Sequence, residues 1–317
     1  MREQNASSTS FIETIAGFTA GIVSTLTLHP LDLLKTRLQV DSISRTRVVG
    51  SSTRLLRHIY TREGGIAAFY RGLTPNIIGN STSWAAYFLF YGNIKQALSR
   101  RGGSGGDSKE LGASEYFFAS GAAGILTALL TNPIWVLKTR MLSTGSAAPG
   151  AYTSFIAGAR QILKHEGFAG FYRGLVPALF GVSHGAFQFM AYEKLKAYRT
   201  STTTTATTTT SSTTAANANN SRNSLGTLDL LGISGLSKVF AGCITYPYQV
   251  LRTRLQSYNA AIVYRGVWDV TRQIWRQEGI TGFYKGLGPN LLRVLPGTWV
   301  TFLVYENTKG VLYKSIG

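Results

Sequence analysis

Acid is scarce in this sequence. Fourteen Asp and Glu stand against 32 Lys and Arg in 317 residues, a net charge of +18. Carboxylates so few and so scattered make no convincing acid–base pair. There is no Ser-His-Asp set and no Walker glycine loop. Cysteine is nearly absent. Cys243 stands alone, which excludes an intrachain disulfide framework and a multi-cysteine zinc site. The four histidines, His29, His58, His165 and His184, show no close ligand spacing. No catalytic residue, no metal site and no enzyme is expected. A presequence is not expected either, since the first ten residues hold one Arg and one Glu without a compact apolar core.

The surplus of base implies an anionic partner: nucleic acid, anionic lipid, or a phosphate or carboxylate solute. Nucleic acid fits poorly, because no stretch interleaves basic residues with exposed aromatics. Charge is also missing in long runs. Between Glu13 and Asp32 lie 18 uncharged residues, between Arg71 and Lys95 23, between Glu115 and Lys138 22, and between Arg173 and Glu193 19. Residues 230–251 carry only Lys238, and residues 286–305 carry Arg293 and no other charge before the acid at 306. Each run is long enough to cross roughly 30 Å of hydrocarbon as a helix. Six spans are expected, with both termini on one side. Mean hydropathy is near zero, and the spans are rich in Gly, Ser, Thr and Asn. Such residues suit helices that pack together or line an aqueous cavity.

One unit occurs three times. Its front half reads HPLDLLKTR at 29–37, NPIWVLKTR at 132–140 and YPYQVLRTR at 246–254. Its back half reads GIAAFYRGLTP at 65–75, GFAGFYRGLVP at 167–177 and GITGFYKGLGP at 279–289. An aromatic then recurs in YGNIK at 91–95, YEKLK at 192–196 and YENTK at 305–309. The repeats are bounded as 11–98, 114–199 and 225–313. The Thr/Ser-rich stretch 200–224 between the last two is expected to be a disordered loop, and GGSGG at 102–106 a shorter linker. Each unit reads as a proline-containing helix, a short amphipathic helix and a second spanning helix. In repeat three, Val267, Val270, Ile274 and Gln277 share helical spacing, with Trp268 and Trp275 beside them. The extra glycine in EGGIAAF is a one-residue bulge of repeat one.

Three correctly spaced copies of this unit, covering nearly the whole chain, resemble the mitochondrial carrier family. The resemblance implies an all-α, pseudo-threefold barrel of six transmembrane helices with three short matrix helices. It implies solute transport across the inner mitochondrial membrane by alternating access, as a multi-pass protein expected to be monomeric. NPIWVLKTR, YPYQVLRTRLQ, PNIIGNSTSW and the Lys238 of GLSKVFAG are similar to the branch that carries FAD, folate, NAD and pyrimidine nucleotides. Within it the FAD carriers of fungi are favoured, with FAD as transported solute and no bound cofactor.

The resemblance also assigns residues. A matrix gate pairs Asp32 with Lys138, Trp135 with Arg252, and Gln249 with Lys35, braced by Gln39 and Gln256. The alternative for Trp135 is plain packing. A cytoplasmic gate comprises Tyr91, Lys95, Tyr192, Glu193, Lys196, Tyr305, Glu306 and Lys309, pairing Glu193 with Lys309 and Glu306 with Lys95. Gly92 breaks its third pair, and ordinary surface charge at helix ends is the alternative for this gate. Solute contacts are expected at Gly79, Asn80 and Ser83, at Phe180, Gly181, His184 and Gln188, and at Arg293, whose guanidinium suits a diphosphate; helix packing is the alternative for the first two groups and a structural charge for Arg293. Lys238 either faces the cavity or snorkels. Gly21 and Gly124, at the corresponding place in repeats one and two, fit close helix packing, as in the G-x-x-x-G of Gly17 and Gly21. Cardiolipin is expected at Arg71 and Gly72, Arg173 and Gly174, and Lys285 and Gly286, beside inner-membrane lipid at large.

Overall fold

A computed structural model describes residues 2–41, 48–102, 112–145, 151–208 and 227–316. Among these residues the chain is helical, with no strand. Repeat one contains α1 (Arg2–Val40), α2 (Val48–Arg62) and α3 (Leu73–Gly102). Repeat two contains α4 (Ala113–Ser143), α5 (Phe155–Glu166), α6 (Leu175–Phe180) and α7 (Ser183–Thr208). Repeat three contains α8 (Thr227–Gln256), α9 (Ala260–Val263), α10 (Val267–Glu278) and α11 (Leu287–Ile316). A short 3₁₀ turn precedes α3, α6 and α11.

Proline placement explains much of this pattern. Pro30, Pro133 and Pro247 lie inside α1, α4 and α8. Each removes one ladder N–H and crowds the preceding turn. Pro75, Pro177 and Pro289 instead sit in the first turn of α3, α6 and α11, where the N–H has no intrahelical partner anyway. Just before them Gly72, Gly174 and Gly286 adopt φ of 75°, 72° and 82°. This left-handed conformation turns the chain into the second long helix, and glycine adopts it without strain. The bulge of repeat one is a second left-handed glycine: Gly64 and Gly65 are both at positive φ, where the other repeats have only Gly167 or Gly279.

Each amphipathic helix seats on the end of its own repeat's first helix. Val270 and Ile274 of α10 are buried against Val250 and Leu255 of α8. Ile162 of α5 joins Val136, Leu137 and Met141 of α4. Ile59 of α2 meets Leu33 of α1 and, from the next repeat, Leu142. Full burial of one such side chain contributes about 1.5–3 kcal/mol. Trp268 and Trp275 lie on the open face of α10, at 83% and 61% exposure.

The repeats close into a ring. α1 packs along α11, α3 along α4, and α7 along α8, so the longest contacts join neighbouring repeats. The glycine turns close the same circle. A Cβ on Gly72 would strike Leu142 of repeat two, and one on Gly174 would come within 3.1 Å of Arg252 O in repeat three. One on Gly286 would come within 3.0 Å of Lys35 O in repeat one.

Three expectations change. The second long helix of repeat two is broken at residues 181–182 into α6 and α7. Gly17 and Gly21 have no atom within 4 Å of an added Cβ, so they mediate no close helix packing; Gly124 of α4 does, with Val182 Cγ1 at 3.1 Å. Helix α7 continues through Thr208 into the Thr/Ser-rich stretch; residues 209–226 lie outside the described residues, as do residues 103–111 with most of GGSGG. Among the described residues one helix, Ser114–Ser143, is long and apolar enough by composition to cross a membrane.

Candidate functional site

The first helices of the three repeats converge with α3, α6, α7 and α11 around a cavity of about 380 Å³. Its floor is the proline motif. Lys138 Nζ stands 4.0 Å from Asp32 Oδ2. Arg252 lies over the Trp135 ring, 5.8 Å from its centroid. Lys35 Nζ donates to Gln249 Oε1 at 3.1 Å. The structure thus brings together each of the three expected pairs. Glutamines brace them: Thr253 donates to Gln39 Oε1 at 2.8 Å, and Thr139 to Gln256 Oε1 at 3.1 Å.

Trp135 is held from three sides. Its indole N–H donates to Ser83 Oγ at 3.3 Å. Gly79 brings α3 close enough that an added Cβ would be 3.6 Å from the ring. Lys138 lies over the ring as well, 4.8 Å from its centroid. A π face can attract two cations where a carboxylate is absent, at about 0.5–2 kcal/mol each. Gly79 and Ser83 therefore support the indole, and the packing alternative holds for both.

Residues 75–79, 177–181 and 289–293 read PNIIG, PALFG and PNLLR, so Gly79, Gly181 and Arg293 share one position of the repeat. Their structural fates differ. Gly181 ends α6 in a tight turn, its N–H 2.9 Å from Ala178 O, and lines the cavity. Arg293 crosses to α1 and ion-pairs with Asp32 through Nη1. Asp32 is thus shared between Arg293 and Lys138, so the residues expected at the gate and the residue expected to contact solute form one network.

A second lobe of about 760 Å³ adjoins the first and shares Asp32, Asn76, Asn80 and Arg293 with it. Trp84, Phe302 and Tyr305 give it aromatic walls, and Lys238 faces into it. His184 lines the inner lobe, its Nδ1 2.8 Å from Thr245 Oγ1. Phe180 and Gln188 line neither lobe, and Phe180 is 63% exposed. Its equivalents in the other repeats, Ile78 and Leu292, are likewise exposed, so this position lies on the outer face of each second long helix.

Repeat comparison would have found further members. Asn76 and Asn290 follow the first-turn prolines of repeats one and three. Asn290 accepts from Lys35 at 2.8 Å. Asn76 meets His29 Nδ1 at 3.2 Å. His29 Nε2 lies 3.0 Å from Arg71 O, so Nε2 carries the proton and Nδ1 accepts. Its counterparts before the other prolines act alike: Asn132 donates to Phe171 O at 2.7 Å and Tyr246 to Lys285 O at 3.1 Å. The residue before each proline ties its helix to the turn that starts the next long helix.

At the far end of the barrel Lys95 lies over Tyr116, Lys196 over Tyr192 and Lys309 over Tyr305, at 5.5, 6.0 and 5.6 Å from the ring centroids. Glu193 and Glu306 are exposed there, and Tyr91 stacks with Tyr87.

The bases at the glycine turns hold protein groups. Arg71 donates to Met141 O at 3.0 Å and Tyr152 O at 3.1 Å, both in repeat two. Arg173 pairs with Glu166 at 3.0 Å. Lys285 pairs with Glu278 at 2.7 Å and donates to Asp41 O at 2.8 Å. Burial would raise the carboxyl pKa of Glu166, but hydrogen bonds and charge from Arg140 and Arg173 lower it further than burial raises it. Glu278 is lowered in the same way, against burial, by Arg254 and Lys285.

Residues 7–102, 109–203 and 223–315 each match the mitochondrial carrier protein family. The mitochondrial FAD carrier protein FLX1 of Saccharomyces cerevisiae is 36% identical, over 94% of this chain and 96% of its own length. The mitochondrial nicotinamide adenine dinucleotide transporter 2 of Arabidopsis thaliana is 37% identical, over 92% of this chain and 77% of its own. The chloroplastic folate transporter 1 of the same plant is 36% identical, over 94% of each. With three matched copies, each seated by its glycine turn on the next around one cationic cavity, the chain belongs to the mitochondrial carrier family.

Proposed function

We propose that this protein carries FAD across the inner mitochondrial membrane, binding it in the two-lobed cavity and exposing it to each side in turn. The similarity to the yeast mitochondrial FAD carrier along nearly the full length of both chains carries this reading. The cavity suits the chemistry. Arg293 offers a planar guanidinium for a phosphate, and aromatic walls stand above it for a flat ring. FAD is solute here, moved and released, not retained as a cofactor.

The long helices form six membrane spans in this reading. Large apolar side chains such as Phe117, Phe118, Phe189, Leu236 and Leu303 face outward at 56–70% exposure, a surface suited to lipid. The N-termini of α3, α6 and α11 offer backbone N–H groups to cardiolipin phosphate. The protein acts as a monomer, its ring closed within one chain. The Lys138–Asp32, Arg252–Trp135 and Lys35–Gln249 contacts shut the matrix side and open as the opposite end closes. Two states that differ in affinity for the solute suffice.

NAD and folate are the second reading, because carriers of both are as similar in sequence as the FAD carrier. Reconstituted liposomes given labelled FAD, NAD, folate and UTP side by side decide between them. Uptake of FAD above the other three is expected. Uptake of another solute without FAD would overturn the first reading.

A further inference from the structure

The charges around the inner lobe do not balance. Among the described residues, Lys35, Lys138, Arg252 and Arg293 line it together with a single carboxylate, Asp32. Arg293 is ion-paired with that carboxylate, and Lys138 approaches it at 4.0 Å. Among the described residues Lys35 donates to the neutral amide oxygens of Gln249 and Asn290. Arg252 faces the Trp135 ring. Hydrogen bonds to amides and contacts with a π face orient a cation but do not neutralise it. The surplus follows from two sequence positions. Repeat one has Asp32 where repeats two and three have Trp135 and Gln249.

Cations clustered away from bulk water repel one another and are costly unless an anion joins them. We propose that the floor of the cavity is itself an anion subsite, where Lys35, Lys138 and Arg252 hold the diphosphate of the solute. This rests on the reading that the solute carries such a group. Two negative charges would offset most of the surplus. The three bases come from α1, α4 and α8, one per repeat, so a diphosphate among them supplies the cross-links that Trp135 and Gln249 do not. Tyr248 lines the same lobe; its hydroxyl is buried and has no protein partner among the described residues. Trp84, Phe302 and Tyr305 line the outer lobe, so with its diphosphate at the gate the solute has aromatic faces for a ring toward the opposite mouth. The solute thereby tightens the gate it must later leave.

The test uses the full-length chain purified in detergent, with inorganic pyrophosphate as probe and sulfate at equal ionic strength as reference. Pyrophosphate raises the thermal midpoint more than sulfate does. The double variant Trp135→Glu/Gln249→Glu places two carboxylates in the lobe, melts higher without pyrophosphate, and binds it at least tenfold more weakly. Lys35→Gln, which adds no charge of its own, also weakens binding tenfold and serves if the double variant does not fold. A pyrophosphate effect no larger than that of sulfate, or one unchanged in these variants, overturns the subsite.

Uptake assays separate this from the reading it rests on. FAD uptake by the wild type that excess pyrophosphate does not inhibit leaves the FAD carrier standing and overturns the subsite. Absent FAD uptake, with pyrophosphate binding still sensitive to Lys35→Gln, overturns FAD and supports the subsite. Uptake of labelled pyrophosphate itself supports the subsite and assigns it to the free ion.

Discussion

Arg293 on α11 is bonded to Asp32 on α1, which couples the proposed solute contact to the floor of the cavity. A solute phosphate that draws the guanidinium away would leave the carboxylate to Lys138, 4.0 Å off. Arg293→Ala is therefore expected to abolish FAD uptake into liposomes while the chain still folds, because Asp32 keeps a partner. Arg293→Lys should restore part of the uptake, since a lysine supplies charge without the planar fork. Near-normal uptake by Arg293→Ala, with unfolding close to wild type, would remove Arg293 from the solute path.

The ring of contacts on the cavity floor was legible because the carrier resemblance pairs each repeat with the next, and repeat position then names the residues. Asp32, Trp135 and Gln249 occupy one position, Lys35, Lys138 and Arg252 another, and threefold closure brings each to the next repeat. The bond from Arg293 to Asp32 was not legible in that way. It depends on the register of α11 against α1, which no periodicity in either helix specifies. Gly79 and Gly181 show a second limit. They share a repeat position with Arg293, yet one admits an indole and the other ends a helix, because the neighbouring helix differs at each. Phe180 faces away from the cavity as its repeat equivalents Ile78 and Leu292 do, whereas the break at residues 181–182 that follows it has no counterpart in the other two repeats.

Trp135 offers a graded test of what the indole contributes. Trp135→Phe keeps a π face toward Lys138 and Arg252 but loses the N–H bond to Ser83. That should cost about 0.5–1.5 kcal/mol. Trp135→Leu loses ring and hydrogen bond together and should cost about 1–4 kcal/mol more where both cations are desolvated. Thermal unfolding of the three proteins should follow the order Trp, Phe, Leu. Equal midpoints for the Phe and Leu variants would reduce Trp135 to a space-filling residue.

Two classes of glycine should respond oppositely to alanine. Gly174 sits at φ +72°, where a Cβ would meet Gln256 Cγ at 2.9 Å and Arg252 O at 3.1 Å. Gly174→Ala must strain the backbone and push repeat three away, a loss of about 1–3 kcal/mol. Gly17 is helical with open space around it. Gly17→Ala should be neutral or stabilising by up to about 1 kcal/mol. Measured unfolding of the pair checks the ring contacts directly; a tolerated alanine at 174 would show that the repeats do not meet there.

Acid should loosen the ring at its carboxylates outside the spans. Glu166 and Glu278 end α5 and α10, and their pKa values are lowered from the ordinary 4.5. A carboxylate held below its unfolded value binds fewer protons folded than unfolded. Its contribution is complete above the unfolded value, declines as pH falls below it, and is gone once pH has dropped through the folded value. The thermal midpoint should thus lose no contribution from these groups between pH 7 and about 6 and should lose it below 4.5. Glu278→Gln removes the charge at every pH, yet leaves Arg254 and Lys285 facing a neutral amide. That variant should unfold below wild type at pH 7 and approach it as wild-type Glu278 protonates. A gap that stays constant from pH 7 to 3.5 would mean that Glu278 acts through its shape, not its charge.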